Sequence, residues 1–549
     1  MAGVDSGRYV LGLDFGTESV RALAVDPDSG DQAATAVVPY ASGVITQNLP
    51  KDFALQNPDD YLDSGCEAIR EVLTVIPAAL VTGIGVDFTA CTILPILRDG
   101  TPLMCLKQFQ DNPHAWVKLW KHHAAQPEAD LVTKVARDRD EPFLKYYSGL
   151  ISSEWMLPKC WEVARHAPDV YAATDIFIDA GDWIVHQITG RFTRNSCAAG
   201  YKGLWNSDLG FPSKDFLAAL DPAIRNLDDK WLKNIVRPGA QAGSVTEAFA
   251  DRSGLAEGTP VSAATIDAHS GVAGIGVCQE GPFSLIMGTS TCHMVLSREL
   301  RIFDGYAGVV KDGIIPGFYG YESGQSAVGD IFGWFVNHFS GGGFEEISAK
   351  AAALKPGASG LVALDWLNGN RSVLMNSDLT GAILGLTLDS RREEMYRAWV
   401  EATAFGTRKI IETHADAGIP ATELVVCGGL AKDAMIMQVY ADVTGLPVKV
   451  APSAQAVALG AAIFGEMASR DPGEGAQTAT GPSERQAPVG ELIGRMTRPP
   501  STVYYADPGV RSTYDRLYRI YCHAHDHFGQ EQPWVMKSLK EIARENRDA

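Results

Sequence analysis

The sequence has no run of about 20 apolar residues, so no membrane-spanning helix is expected. It opens MAGVDSGRYVLGLD, without a basic region followed by an apolar stretch and a cleavage site, so no secretion signal is expected either. No CxxC pair occurs among its nine cysteines, which are scattered and odd in number. They read as small buried hydrophobes of a reducing cytoplasm, not as a disulfide framework. Positive charge is scarce. A formal net charge of −19 excludes a sequence-independent nucleic-acid partner, which would need a basic surface. The acidity reads as solubility. It still allows a phosphate-bearing ligand, because a few oriented backbone N–H groups bind phosphate locally. The P-loop pattern GxxxxGK(S/T) is also absent, so any phosphate cradle is of another type.

What is present is a soluble globular composition, 46% hydrophobic and 21% charged, in 549 residues. That length exceeds one ordinary core and predicts two large domains, drawn here as 1–275 and 276–549. The 55 glycines fit many tight turns and close approaches to a ligand. Tyr9–Phe15 reads as a strand that breaks at Gly16-Thr17 and resumes as Val20–Val25, a β-hairpin. Val81–Asp87 is a second buried strand, followed by the polar loop Phe88–Thr92 and a Trp-rich helical stretch around Trp116–His123. Near mid-chain the first unit's logic recurs: strand Phe283–Met287, turn Gly288-Thr289-Ser290-Thr291, strand Cys292–Leu296. Two related cores, each offering one Gly-Thr turn, are one reading; coincidence between common turns is the other. Gly258–Gly281 reads as a crossing between domains. Leu424–Gly429 is a strand ending in a glycine pair, with a helix from about Asp433 to Val443. Val457–Met467 is a small-residue helix suited to close packing. Residues 471–490 read as a flexible surface loop. In the tail Tyr514, Leu517, Tyr518 and Tyr521 recur at helical spacing.

Several residues could carry phosphoryl chemistry, which needs a phosphate cradle, a metal and a base that orients the attacking hydroxyl. Glycine lets the backbone N–H groups of the two Gly-Thr turns face phosphate oxygens, and Thr17, Ser19, Thr289 and Ser290 add hydroxyl donors. Asp14, at a strand end beside the first turn, is either a turn cap or a Mg²⁺ ligand acting through water. Asp267 follows a short apolar strand among small residues, so it is either a helix N-cap or a base within reach of a sugar hydroxyl. Glu322 lies in a polar, glycine-containing stretch and could accept from sugar hydroxyls. Lys202 sits in a glycine-flanked turn, where it is either exposed or a donor to a sugar oxygen. His269 reads as structural. His523, His525 and His527 near the C-terminus form a rival metal-binding pattern, since His523 and His527 are i, i+4.

Taken as an ordered set, these segments resemble the FGGY carbohydrate kinases over residues 9 to 525. Asp14-Phe-Gly-Thr-Glu-Ser-Val-Arg21 resembles the family's phosphate hairpin. Ile266-Asp-Ala-His-Ser-Gly271 resembles its catalytic-base segment, Met287–Thr291 its second phosphate turn, and Cys427–Asp433 its adenosine-binding turn. Asp87–Thr92, Gly181–Ile184, Arg194–Trp205, Gly320–Asp330 and Leu364–Ser372 are similar to the ribulose-phosphorylating members. One departure is Ala454, where the family often carries an acid.

The resemblance implies a pair of actin-like, ribonuclease-H-like α/β domains around a central cleft. It implies an ATP-dependent transfer of the γ-phosphoryl to the 5-hydroxyl of L-ribulose, a step of L-arabinose catabolism. Asp267 is then the catalytic base, and Ala90, Lys202, Asp267 and Glu322 bind the ketopentose. Gly16, Thr17, Glu18, Ser19, Gly288, Thr289, Gly329, Gly429 and Asp433 contact ATP, and Asp14 with Asp267 places Mg²⁺. The expected partners are a small ketopentose and ATP, with no nucleic acid and no membrane; a homodimer is allowed, and the expected location is the cytoplasm. Other FGGY sugar kinases, acting on D-ribulose, xylulose or a polyol, and an actin- or chaperone-like ATPase are the alternatives.

Overall fold

Residues Tyr9–Phe15 are apolar at nearly every position, and such a run is stable as a strand where both of its faces are covered. In the computed structural model, which describes residues 7–470 and 489–547, this segment is β1 and is buried from Val10 onward. β2 (Ser19–Val25) pairs antiparallel with it, and β3 (Gln32–Pro39) extends the hairpin. On the other side β1 pairs in parallel with β4 (Val81–Phe88). β5 (Gln241–Ser244) and β6 (Pro260–Ser262) complete the order β5-β6-β4-β1-β2-β3, and the short β7 (Thr265–Ile266) also pairs with β4. These strands belong to a first unit made of Met1–Cys278, Val309–Gly320 and Gln455–Arg498. Gly258–Gly281 is largely built into it, as β6, β7 and the helix Asp267–Gly274, and the division falls within that stretch, after Cys278.

The helix Ala456–Arg470 covers β1 and β4 in the same unit. It lies on them backbone to backbone. A Cβ on Gly12 would stand 1.8 Å from the Ala458 carbonyl oxygen, and one on Gly85 1.7 Å from that of Ala461. Neither strand position can carry a side chain without lifting the helix away.

The second unit comprises Gln279–Gly308, Tyr321–Ala454 and Pro499–Ala549. Its strands are β8 (Pro282–Met287), β9 (Thr291–Ser297), β10 (Tyr319–Gln325, of which Tyr321–Gln325 lie in this unit), β11 (Glu423–Cys427), β12 (Val448–Val450) and β13 (Thr502–Tyr504), in the order β10-β9-β8-β11-β12-β13. β8 and β9 form the antiparallel hairpin expected from the sequence, and β11 lies parallel beside β8. The tail helix, Arg511–Asp526, buries the stripe Tyr514, Leu517, Tyr518 and Tyr521. Tyr521 donates its hydroxyl to Asp365 Oδ1 at 3.0 Å, and burial pushes that carboxyl up to about 6.

Two expectations change, those for Trp116–His123 and for the cysteines. Trp116–His123 is no helix: a 3-10 turn over Pro113–Ala115 leads into the strand Val117–Lys118, which pairs with Leu55–Gln56. The proposed loop 471–490 lies outside the described residues as far as 488, and Val489 and Gly490 begin the helix Val489–Met496. None of the nine cysteines is in a disulfide; five are buried, whereas Cys105 is exposed. Among the described residues no group of three His, Cys, Asp or Glu side chains is placed to hold a metal ion directly; His525 instead bonds Asp526 and His527 bonds Glu531. No helix of the described residues is long and apolar enough to cross a membrane.

Candidate active site

Three carboxylates collect at one end of the first unit's sheet. The parallel register sets Asp14 on β1 opposite Asp87 on β4, and Asp87 opposite Thr265 on β7. Parallel neighbours lie about 4.8 Å apart, so Asp14 and Asp87 face each other directly. Asp267 follows β7 by one residue and opens the helix Asp267–Gly274. The N-cap position belongs to Ile266, and Asp267 Oδ1 accepts from the Ala268 N–H at 2.7 Å. The helix-cap reading of Asp267 is therefore displaced by one residue, and its carboxylate stands at the helix N-terminus, half-buried beyond the strand end.

The environments of the three acids differ. Asp14 is buried and accepts from Arg21 Nη1 at 2.9 Å. It is thus an ion-pair partner inside the hairpin, not a turn cap. Burial raises its carboxyl above the usual range, while Arg21 pulls it back. Asp87 is fully buried and neither of its oxygens accepts a hydrogen bond. Burial pushes it well above the ordinary carboxylate range, and the negative charges of Asp14 and Asp267 push it further. Converging acids raised in this way, with two buried oxygens lacking donors, fit a divalent cation, whose charge would reverse the shift. With no direct ligand set among the described residues, the fit is to a hydrated ion held through water.

The first Gly-Thr turn is braced from below. Gly16 N–H donates to the Ser19 carbonyl at 3.0 Å. The Thr17 carbonyl accepts from Gln56 Nε2 at 2.7 Å, and the buried Tyr61 hydroxyl fixes Gln56 by donating to its Oε1 at 2.7 Å. Trp120 Nε1 donates to Thr17 Oγ1 at 3.1 Å, so that oxygen is an acceptor here. Glu18, at the tip, is exposed.

Ala90 follows β4 in a loop closed by a 2.9 Å hydrogen bond between the Thr89 and Thr92 hydroxyls. Lys202 is not in an exposed turn. It is the last residue of the helix Ser196–Lys202 and is only 4% exposed. That helix is placed by Asn195, whose Oδ1 caps the Ala198 N–H at 2.6 Å and whose own N–H and Nδ2 donate to the buried Asp182 at 3.1 and 2.9 Å. His269 is buried beside Cys197 Sγ at 3.0 Å and the Tyr201 ring, as the structural reading expects.

In the second unit, Gly288 and Thr289 are stitched to the segment leading into the helix Gly329–Phe335. Val328 and Asp330 N–H donate to the Thr289 carbonyl, and Gly329 N–H to that of Gly288 at 3.2 Å. At the end of β11, Gly428 takes φ +106 with its Cα against Met287, where a Cβ would stand 2.2 Å from the Met287 carbonyl oxygen. Gly429 follows with open space where a side chain would be. Asp433 caps the helix Ala434–Thr444 through the Ile436 N–H at 3.0 Å and also accepts from Ser348. Both of its oxygens are engaged, so it shapes the turn that carries Gly429. Glu322, on β10, is buried and forms an ion pair with Arg371.

Sequence reasoning left Asp87, Gln56, Trp120, Arg21 and Arg371 without a role. Asp87 had a signal: Gly12-Leu-Asp14 and Gly85-Val-Asp87 repeat one pattern, with glycine under a helix and an acid two residues on. Gln56 and Trp120 had none, since each meets Thr17 across a long stretch of chain.

The profile of the N-terminal domain of the FGGY family of carbohydrate kinases matches residues 9–274, and that of the C-terminal domain matches 283–469. A ribulokinase of Shouchella clausii is 45% identical over 97% of this chain and 98% of its own. One of Mycolicibacterium smegmatis is 43% identical over 98% and 97%. Among solved structures, a gluconate kinase of Lactobacillus acidophilus (TM-score 0.80, 17% identity, 96% of this chain and 100% of the other) and a xylulose kinase of Rhodospirillum rubrum (0.77, 21%, 95% and 99%) share the fold.

Proposed function

The chain belongs to the FGGY family of carbohydrate kinases and is an ATP-dependent sugar kinase, and from that premise we propose that it phosphorylates L-ribulose on its 5-hydroxyl, giving L-ribulose 5-phosphate and ADP. The observation that carries the catalytic part is the row of carboxylates Asp14, Asp87 and Asp267 at adjoining strand ends, one of them at a helix N-terminus. The likeness to ribulokinases over nearly the whole chain supports the choice of sugar.

In this reading Asp267 accepts the proton of the 5-hydroxyl as the oxygen attacks phosphorus. Burial and the charges of Asp14 and Asp267 hold the neighbouring Asp87 above the usual carboxylate range until a cation offsets them. Mg²⁺, held through water by Asp14 and Asp267, would neutralise charge on the transferring phosphoryl group. Ala90 leaves room for the sugar, buried Lys202 donates to its oxygens, and Glu322, paired with Arg371, accepts from its hydroxyls. The backbone of Gly16–Ser19 and of Gly288-Thr289 cradles phosphate, with Gly329, Gly429 and the capped turn at Asp433 receiving the nucleotide. The reaction belongs in the cytoplasm, where ATP is plentiful and nine thiols outside any disulfide stay reduced.

The test is a coupled kinase assay with ATP over L-ribulose, D-ribulose, D-xylulose and ribitol. L-ribulose is expected to give the highest kcat/KM. A higher value for another sugar would replace the acceptor and keep the kinase; ATP turnover indifferent to every sugar would remove the kinase. Asp267→Asn is expected to lower kcat about 10³-fold, within the span of general-base effects, with little change in sugar Kd.

A further inference from the structure

One buried charge in the first unit has no part in the chemistry above. Lys159, on the helix Met156–His166, is 0% exposed. Its Nζ donates to the carbonyls of Cys91 at 2.6 Å, Leu119 at 2.8 Å and Lys118 at 3.5 Å. Burial lowers its pKa to about 8, so at neutral pH it is mostly the ammonium with three protons to donate. A buried ammonium costs several kcal/mol relative to a well-packed apolar side chain unless its hydrogen bonds are made.

The three carbonyls come from two segments distant in sequence. Cys91 follows Ala90 and holds a left-handed conformation, φ 57, in the loop closed by Thr89 and Thr92. Leu119 precedes Trp120, whose indole N–H holds the Thr17 hydroxyl at 3.1 Å. The floor beneath Leu119 is polar and satisfied: Lys118 pairs with Glu162 at 3.1 Å and His122 with the same carboxylate at 2.9 Å. Burial works to raise Glu162, but Lys118 and His122 outweigh it and hold that carboxyl at about 2.

We infer that Lys159 is a positioning residue: by tying the Ala90–Thr92 loop to the Leu119–Trp120 segment, it sets the acceptor-sugar loop and the Thr17 phosphate turn in one fixed relation. The inference rests on the sugar-kinase reading of those two segments. It concerns no reacting atom, since the ammonium is fully covered.

Lys159→Met, similar in length and without donors, is the direct test, run with the sugar that the wild type phosphorylates best so that a wrong acceptor assignment does not bear on it. If the wild type phosphorylates no sugar, the kinase reading fails first, and visibly so. The expected result is a protein that folds, with sugar KM raised at least tenfold, ATP KM raised and kcat lowered about tenfold, since small misplacements of positioned groups cost up to about 10²-fold. Wild-type kcat and both KM values in the folded variant, whatever its Tm, would overturn the inference. Should Lys159→Met not fold, Trp120→Phe decides the phosphate arm alone, because it keeps a ring and removes only the donor to Thr17. A rise of about fivefold in ATP KM with sugar KM unchanged supports the inference; unchanged ATP kinetics sink it.

Discussion

In the first unit Asp14 stands opposite Asp87 at the ends of two parallel strands; in the second, Ile286 stands opposite Cys427 at the corresponding places. The surrounding plan is the same in both. Each has an antiparallel hairpin, β1/β2 or β8/β9, whose turn begins Gly-Thr, and a parallel neighbour, β4 or β11. Two carboxylates in one unit thus correspond to an alkyl chain and a thiol in the other. Burial pushes the Cys427 thiol up to about 12, so it stays neutral. The strand plan supplies a Gly-Thr turn in both units. The residues two positions before the turn, and at the end of the neighbouring strand, decide whether that strand end carries acids or apolar groups.

The comparison can be broken most completely at Gly85, which precedes Asp87 by two and has the helix Ala456–Arg470 against it. Gly85→Val is expected to cost well over about 3 kcal/mol, since the obstacle is backbone and no rotamer relieves it. Circular dichroism and solubility at 25 °C check this, and a folded variant with Tm near wild type would show that the helix can lift.

Next comes Asp87→Asn, which makes the acid row as neutral there as its counterpart. Turnover is expected to fall about 10²-fold, while stability at neutral pH rises. The sign follows from the raised carboxyl. A group whose folded pKa exceeds its unfolded value, here 3.8, stabilises fully below that value and loses the contribution as pH rises. The Tm difference between variant and wild type should therefore widen from pH 4.5 toward pH 8. A constant difference would mean that Asp87 is ionised throughout.

The smallest effect is expected at Cys427→Ser, the counterpart position in the second unit. It should leave kcat and both KM values within about twofold and cost about 1 kcal/mol, as a neutral thiol against apolar neighbours would. A large loss of turnover would mean that the strand ends of the second unit do chemistry after all.

Much of this was legible in the sequence because it is local. Both hairpins, the strand read as Val81–Asp87, the small-residue helix and the tyrosine stripe of the tail follow from period and turn residues, and each is found within about three residues. What was missed depends on partners far away. Lys202 reads as a turn lysine because two glycines flank it, yet Asn195 and Asp182 make that segment a buried helix. Trp116–His123 has helical composition, but pairing with Leu55–Gln56 draws part of it into a strand. Asp267 as base and Asp14 as metal site were suggested by order along the chain. The pressure on Asp87 needed register, which only the fold supplies.

The helix on Gly12 and Gly85 has a consequence for biosynthesis. β1 and β4 leave the ribosome early, but the helix that covers them begins only at Ala456. At roughly 5–20 residues per second, the stretch between Gly85 and Gly465 takes about 20–80 s to make. Throughout that time the nascent first sheet carries a bare glycine-floored face, and its carboxylate row has no closed support. The glycine-floored face beneath the carboxylate row is thus closed only by a helix from nearly the last fifth of the chain.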